Sequence, residues 1–133
     1  ELDRNVMGEW YTFLILAHGI QPGARLNETE AQDASAGWGG DAYVVYYHDQ
    51  TQATVAVLNT VWDTARDADE FSKAFEEYAS ARFDSSAKTS GEILSWDVPD
   101  GYHEFFSSNS QTTWIIAPAP ETARALRNAF GNP

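Results

Sequence analysis

An α+β fold, with a mostly antiparallel five-stranded sheet and helices packed mainly on one face, follows from three stretches of the sequence. Residues 41–62 hold two runs rich in β-branched and aromatic residues, divided by a short linker. Residues 65–82 place apolar side chains at helical spacing. Residues 92–117 hold three further short β runs separated by turn-forming residues. The order along the chain reads α-α-β-β-α-β-β-β-α, within one domain spanning 1–133.

The first helix is expected from about Asp3 to His18. Val6, Trp10, Phe13, Leu14 and Ala17 share one helical face, and Tyr11, Ile15 and Leu16 make the other side apolar too. Such a helix should be buried widely, and a strand over Trp10–Leu16 is the alternative for so short an apolar run. Gln21-Pro22-Gly23 ends the element. A short helix from about Asn27 to Ala36 follows, with Glu28 and Glu30 suited to its N-terminus and Gly37 as its stop. Strands at Asp41–His48 and Gln52–Trp62, joined by Asp49-Gln50-Thr51, read as an antiparallel hairpin.

The clearest helix runs from about Ala65 to Arg82. Ala68, Phe71, Phe75, Tyr78 and Ala79 form its apolar face, and Asp69, Lys73, Glu76 and Glu77 cover the other. Thr64 with Asp67, or Asp67 with Glu70, supplies a capping-box start. Asp84–Ser90 reads as a polar loop. Strands at Glu92–Asp97, Tyr102–Ser107 and Gln111–Ala117 form a meander through Pro99-Asp100-Gly101 and Ser108-Asn109-Ser110. A last helix over Glu121–Phe130 has Pro120 in its first turn and Gly131 as its stop.

With 20 acidic residues against 8 basic, the net charge of -12 repels phosphate backbones and anionic lipid. Nucleic-acid and membrane-surface partners are therefore not expected. The apolar run Trp10–Ala17 is too short to cross a bilayer, which takes about 20 residues, and it lacks the flanks of a signal peptide. The absence of cysteine removes disulfides, thiolate metal sites and a thiol nucleophile. The chain opens on Glu1 rather than Met, which reads as a mature or excised domain with a further region upstream.

Gly37-Trp38-Gly39-Gly40-Asp41 is the most distinctive run. Its glycines permit a tight turn with Trp38 as a lid, or a loop where a ligand approaches Trp38, Gly39 and Gly40. It lacks the strand before it and the Lys-Ser/Thr after it that a nucleotide loop needs. Trp62-Asp63-Thr64 leads into the central helix, where Asp63 suits a helix cap. Asp63 could alternatively join Asp41 in an oxygen-ligand site, although no calcium-loop spacing is present. His103 beside Glu104 and near Asp97 is a candidate general base, but neighbours in a strand point to opposite faces. A surface His and a surface Glu are the plainer expectation. His18 reads as a helix-end contact and His48 as a solvated hairpin residue. No metal-ligand spacing and no cofactor motif is found, so neither metal nor cofactor is expected.

The combination of Gly37-Trp38-Gly39-Gly40-Asp41 with Trp62-Asp63-Thr64 and Asp67-Ala68-Asp69-Glu70-Phe71, preceded by Met7-Gly8-Glu9, resembles the C-terminal portion of uncharacterised bacterial proteins of Chloroflexus-like or actinobacterial type. The resemblance spans roughly residues 5–83. It implies a domain of unknown function that follows a larger, exported region of a bacterial protein, and it carries no catalytic residues with it.

Three functions remain open. The first is a non-catalytic accessory domain binding a small ligand or a neighbouring domain, with Trp38, Trp62, Trp96 and Trp114 as candidates for the lining. The second is a metal-dependent or acid/base enzyme module built on Asp41 and Asp63, with Asp97 or His103. The third is a self-associating domain using an edge strand or the apolar first helix.

Overall fold

The computed structural model describes residues 1–130. Seven strands form one antiparallel sheet in the order β1-β2-β3-β7-β6-β5-β4, with four helices. β1 is Asp3–Asn5, α1 Glu9–His18, α2 Glu28–Ser35, β2 Trp38–His48 and β3 Ala53–Trp62. α3 is Ala65–Phe83, β4 Lys88–Ser90, β5 Ile93–Val98, β6 Gly101–Ser108, β7 Gln111–Ala117 and α4 Pro120–Phe130. The predicted stop at Gly131 lies outside the described residues.

The predicted count of five strands is corrected to seven. The two additions, β1 and β4, are three-residue edge strands whose residues are all exposed. Neither carries the apolar alternation that marks a half-buried strand, and short exposed edges of this kind limit unwanted pairing. β1 also displaces the start of the first helix from Asp3 to Glu9.

α1, α2 and α3 pack on one face of the sheet. Leu16 and Ala17, Ala31 and Ala34, and Phe71 and Phe75 meet Trp62, Trp96 and Phe105 there. The aromatic rings dominate this core: Phe75 stacks on Phe105 at 4.4 Å and meets Trp114 edge-on at 5.0 Å. Such pairs add about 0.5–1.5 kcal/mol each beyond the area they bury. α4 covers the opposite face, where Ala123 and Leu126 meet Val44, Val57, Phe106 and Ile115.

α1 does not bury the stripe expected of it. Thr12, Leu16 and Ala17 are buried, whereas Val6, Trp10 and Tyr11 stand in solvent. The run is apolar on every side, so its period could not identify the face that packs.

α3 begins with the capping box formed by Thr64 and Asp67: the Asp67 N–H donates to Thr64 Oγ1 at 3.2 Å, and the Thr64 N–H donates to Asp67 Oδ2 at 3.0 Å. Gly37 sits against this cap with φ +80, and a Cβ there would lie 2.5 Å from Asp67 Cγ. Both the backbone angle and the space therefore require glycine. Gly37→Ala is expected to cost about 2–3 kcal/mol through strain and a disturbed cap. Urea unfolding with an unchanged m-value checks this, and a loss below about 0.5 kcal/mol contradicts it.

Candidate functional site

The glycine-rich run is a strand rather than a turn. Trp38, Gly39 and Gly40 open β2, with Trp38 opposite Trp62, Gly40 opposite Val61, and a register shift between them. That bulge absorbs Gly39 as the extra residue of β2. The sharp reversal expected over all the glycines is confined to Gly37, at the end of α2.

Both carboxylate oxygens of Asp41 hold the entry to α1. Its Oδ1 accepts from the Met7 N–H at 2.6 Å, and its Oδ2 from the Gly8 N–H at 2.7 Å and Trp38 Nε1 at 3.0 Å. Gly8, with φ 88, turns the chain out of β1 and into α1. Asp41 thus binds the segment before the helix, and Trp38 closes over that contact.

Asp63 lies exposed between β3 and the Thr64 cap, and its N–H donates to the Gly37 carbonyl at 2.7 Å. A Cβ on Gly39 would sit 3.3 Å from Asp63 Oδ1, so the Gly39 backbone runs beside that carboxylate. Trp62 is buried and donates from Nε1 to Thr112 Oγ1 at 3.0 Å. Trp96 is also buried, while Trp38 and Trp114 are half-buried against the same core. Among the described residues no group of three or more His, Asp or Glu side chains is placed to hold a metal ion.

His103 is not brought to these residues. It stands on β6, with β7 between it and β3. The expected surface His and surface Glu are corrected: His103 is 2% exposed and Glu104 4%. The two do point to opposite faces. His103 faces α3, its ring 4.4 Å from that of Phe83 and 5.9 Å from that of Trp114. Glu104 faces α4, where Arg127 Nε donates to its Oε2 at 3.1 Å. Helices on both faces bury both partners of this neighbouring pair.

The His103 ring nitrogens and Trp114 Nε1 are buried with no hydrogen-bond partner among the described residues. The nearest carboxylate, Asp100 Oδ1, is 3.9 Å from Nε2, too far for a hydrogen bond. Burial pushes the imidazole below its ordinary pKa; Asp100 opposes that shift and Arg82 adds to it. Well above about pH 6.5 the ring is neutral in both folded and unfolded chains. Below that, the unfolded chain takes up a proton that the folded one refuses, so stability falls as pH drops toward the lower folded pKa. His103→Phe is expected to raise the melting temperature and to flatten its decline between pH 7 and pH 5. An unchanged decline in the variant contradicts this account of His103.

The family model described as "Domain of unknown function (DUF8575)" matches residues 1–127. The chain belongs to the DUF8575 family. No curated protein and no solved structure matches it.

Three grooves of ligand size open on the surface of this DUF8575 domain. One of about 610 Å³ runs between α2 and α3 and is bordered by charged side chains, among them Glu30, Asp33, Arg66 and Glu70. Another of about 700 Å³ lies beside α4, with Tyr46, Val55, Pro118 and Leu126 in its walls. The third, of about 470 Å³, lies between α1 and α2. Trp10 and Phe13 form one wall of it, their rings stacked at 5.2 Å and 28°. Glu9, His18, Glu28 and Gln32 supply its polar groups. His18 Nε2 lies 3.9 Å from Glu28 Oε1 across the helix pair.

Sequence reasoning passed over Trp10 because it assigned that residue to the core-facing stripe. A signal was nonetheless present. The apolar run exceeds what one helix face can bury, and the excess has to lie in solvent or against a partner.

Proposed function

We propose that the DUF8575 domain is a non-catalytic binding domain that takes a small ligand between α1 and α2. The observation that carries this reading is Trp10, 65% exposed yet held in a stack with Phe13 at the wall of a ligand-sized cleft. Binding clefts of about 300–1,000 Å³ combine apolar or aromatic walls with a few converging polar groups. The α1–α2 cleft has that mixture, whereas one of the other grooves is mainly charged and the other mainly apolar.

Acid/base catalysis has less support. Asp41 already accepts three hydrogen bonds, and His103 has no carboxylate within hydrogen-bonding distance among the described residues. In this reading Asp41 latches the start of α1, and so fixes where Trp10 stands.

Thermal unfolding against a panel of small molecules and divalent metals tests the proposal. A ligand at 100 times its Kd adds about 2.7 kcal/mol, on the order of 6–14 °C for a domain near this size. The rise should vanish in Trp10→Ala and persist in Asp63→Ala. The reverse pattern would move the site to the β3–α3 junction and overturn the assignment.

A second reading is favoured by the exposure of Leu2, Val6, Trp10 and Tyr11 along one stretch of chain. Such a patch suits self-association. Light scattering then shows a mass that rises with concentration and returns to the monomer value in Tyr11→Ser. A monomer at all concentrations removes this reading.

A further inference from the structure

We infer that the α1–α2 cleft selects an organic cation, a ligand with an alkylated ammonium head, rather than a neutral sugar or a bare metal ion. This rests on the binding role proposed above and adds the chemical class of the ligand.

The argument starts from charge. Glu9 and Glu28 line the cleft; His18, 3.9 Å from Glu28, is the basic side chain beside them, and among the described residues no lysine or arginine joins the lining. The whole chain carries -12, so its field draws cations toward the surface and repels anions. Two carboxylates alone would also serve a metal, but the described residues hold no group of three or more ligating side chains. A metal ion would have to keep most of its water there. An alkylated ammonium needs no such ligand set, because its methyl groups form no hydrogen bonds.

The aromatic wall then decides between cation and sugar. Trp10 is the side chain whose ring face attracts cations most strongly, and Phe13 stacks behind it. A cation within about 6 Å of such a ring gains from its quadrupole, more so when partly desolvated. The carboxylates add attraction that a neutral sugar would not feel. The volume of about 470 Å³ admits a compact ammonium compound with room for a short tail. The remaining polar side chains in the lining, His18, Gln32 and Ser35, supply hydrogen-bonding groups for a hydroxyl on that tail. Ser35 Oγ–H is committed to the Ala31 carbonyl at 2.8 Å, which leaves its oxygen free to accept.

Isothermal titration at fixed ionic strength tests this with choline chloride, its neutral carbon isostere 3,3-dimethylbutan-1-ol, cellobiose, and sodium chloride as the screening control. Choline is expected to bind, with the isostere at least about tenfold weaker, a difference of about 1.4 kcal/mol. Trp10→Ala should weaken choline about tenfold or more, and Glu28→Gln several-fold. Both residues are exposed, so their variants should stay folded, with melting temperatures within about 5 °C of wild type. Equal binding of choline and the isostere overturns the cation assignment and leaves the binding role standing. So does cellobiose binding that is lost in Trp10→Ala. No heat from choline, isostere or cellobiose overturns the cation assignment. The binding role falls as well if the wider thermal screen is also silent.

Discussion

Asp41→Ala should lower the melting temperature by on the order of 10–20 °C, the largest loss expected from any single polar substitution outside the ion pair beneath α4. One carboxylate accepts from the Met7 and Gly8 N–H groups and from Trp38 Nε1. Hydrogen bonds to a charged group contribute about 1.5–3 kcal/mol each, and partial exposure of this site brings the total to about 3–5 kcal/mol. Alanine leaves all three donors without a partner in a part-buried site. Asp41→Asn keeps one acceptor oxygen and should recover part of the loss. The effect is local to the latch, so hydrogen exchange should rise first in α1 and β1. A melting temperature within about 2 °C of wild type contradicts the role given to Asp41.

Arg127→Ala should cost about 3–5 kcal/mol by a different route, since removing one partner of a buried ion pair strands the other charge. The side chain of Glu104 is 6% exposed and that of Arg127 19%, with Nε and Oε2 3.1 Å apart. Around them Phe106 and Ile115 are buried on the same face. Replacing both members by leucine removes the charge and its partner together, so Glu104→Leu with Arg127→Leu should be more stable than Arg127→Ala alone. Guanidinium unfolding of the three proteins checks this order. A double variant as unstable as the single one would show that the pair positions α4 rather than neutralising a buried charge.

Much of this architecture was legible because period and polarity agreed. Phe71, Phe75 and Tyr78 recur at helical spacing, and all three are buried on one side of α3. The hairpin was legible from the β-branched and aromatic residues of β2 and β3. β1 and β4 escaped notice because a three-residue exposed edge has no buried face to betray it. The glycines of β2 suggested a turn, since a bulge is recognised by its partner strand, which local sequence does not reveal. Glu104 reads as a surface residue because local sequence does not show that α4 covers its face. For the candidate site the difficulty was an excess of signal. Trp10, Tyr11, Phe13, Leu14, Ile15 and Leu16 are all apolar, and only the packing of α1 on α2 and α3 separates core from cleft wall.

The most direct test of the central claim, that ligand is taken between α1 and α2, is amide chemical-shift mapping as choline chloride is titrated into isotopically labelled protein at constant ionic strength. Saturable shifts should concentrate in residues 9–18 and 28–35 and include the Trp10 side-chain N–H. Shifts centred instead on Trp38, Gly39, Gly40 and Asp63 would contradict it, whereas shifts that never saturate would overturn the choice of an organic cation.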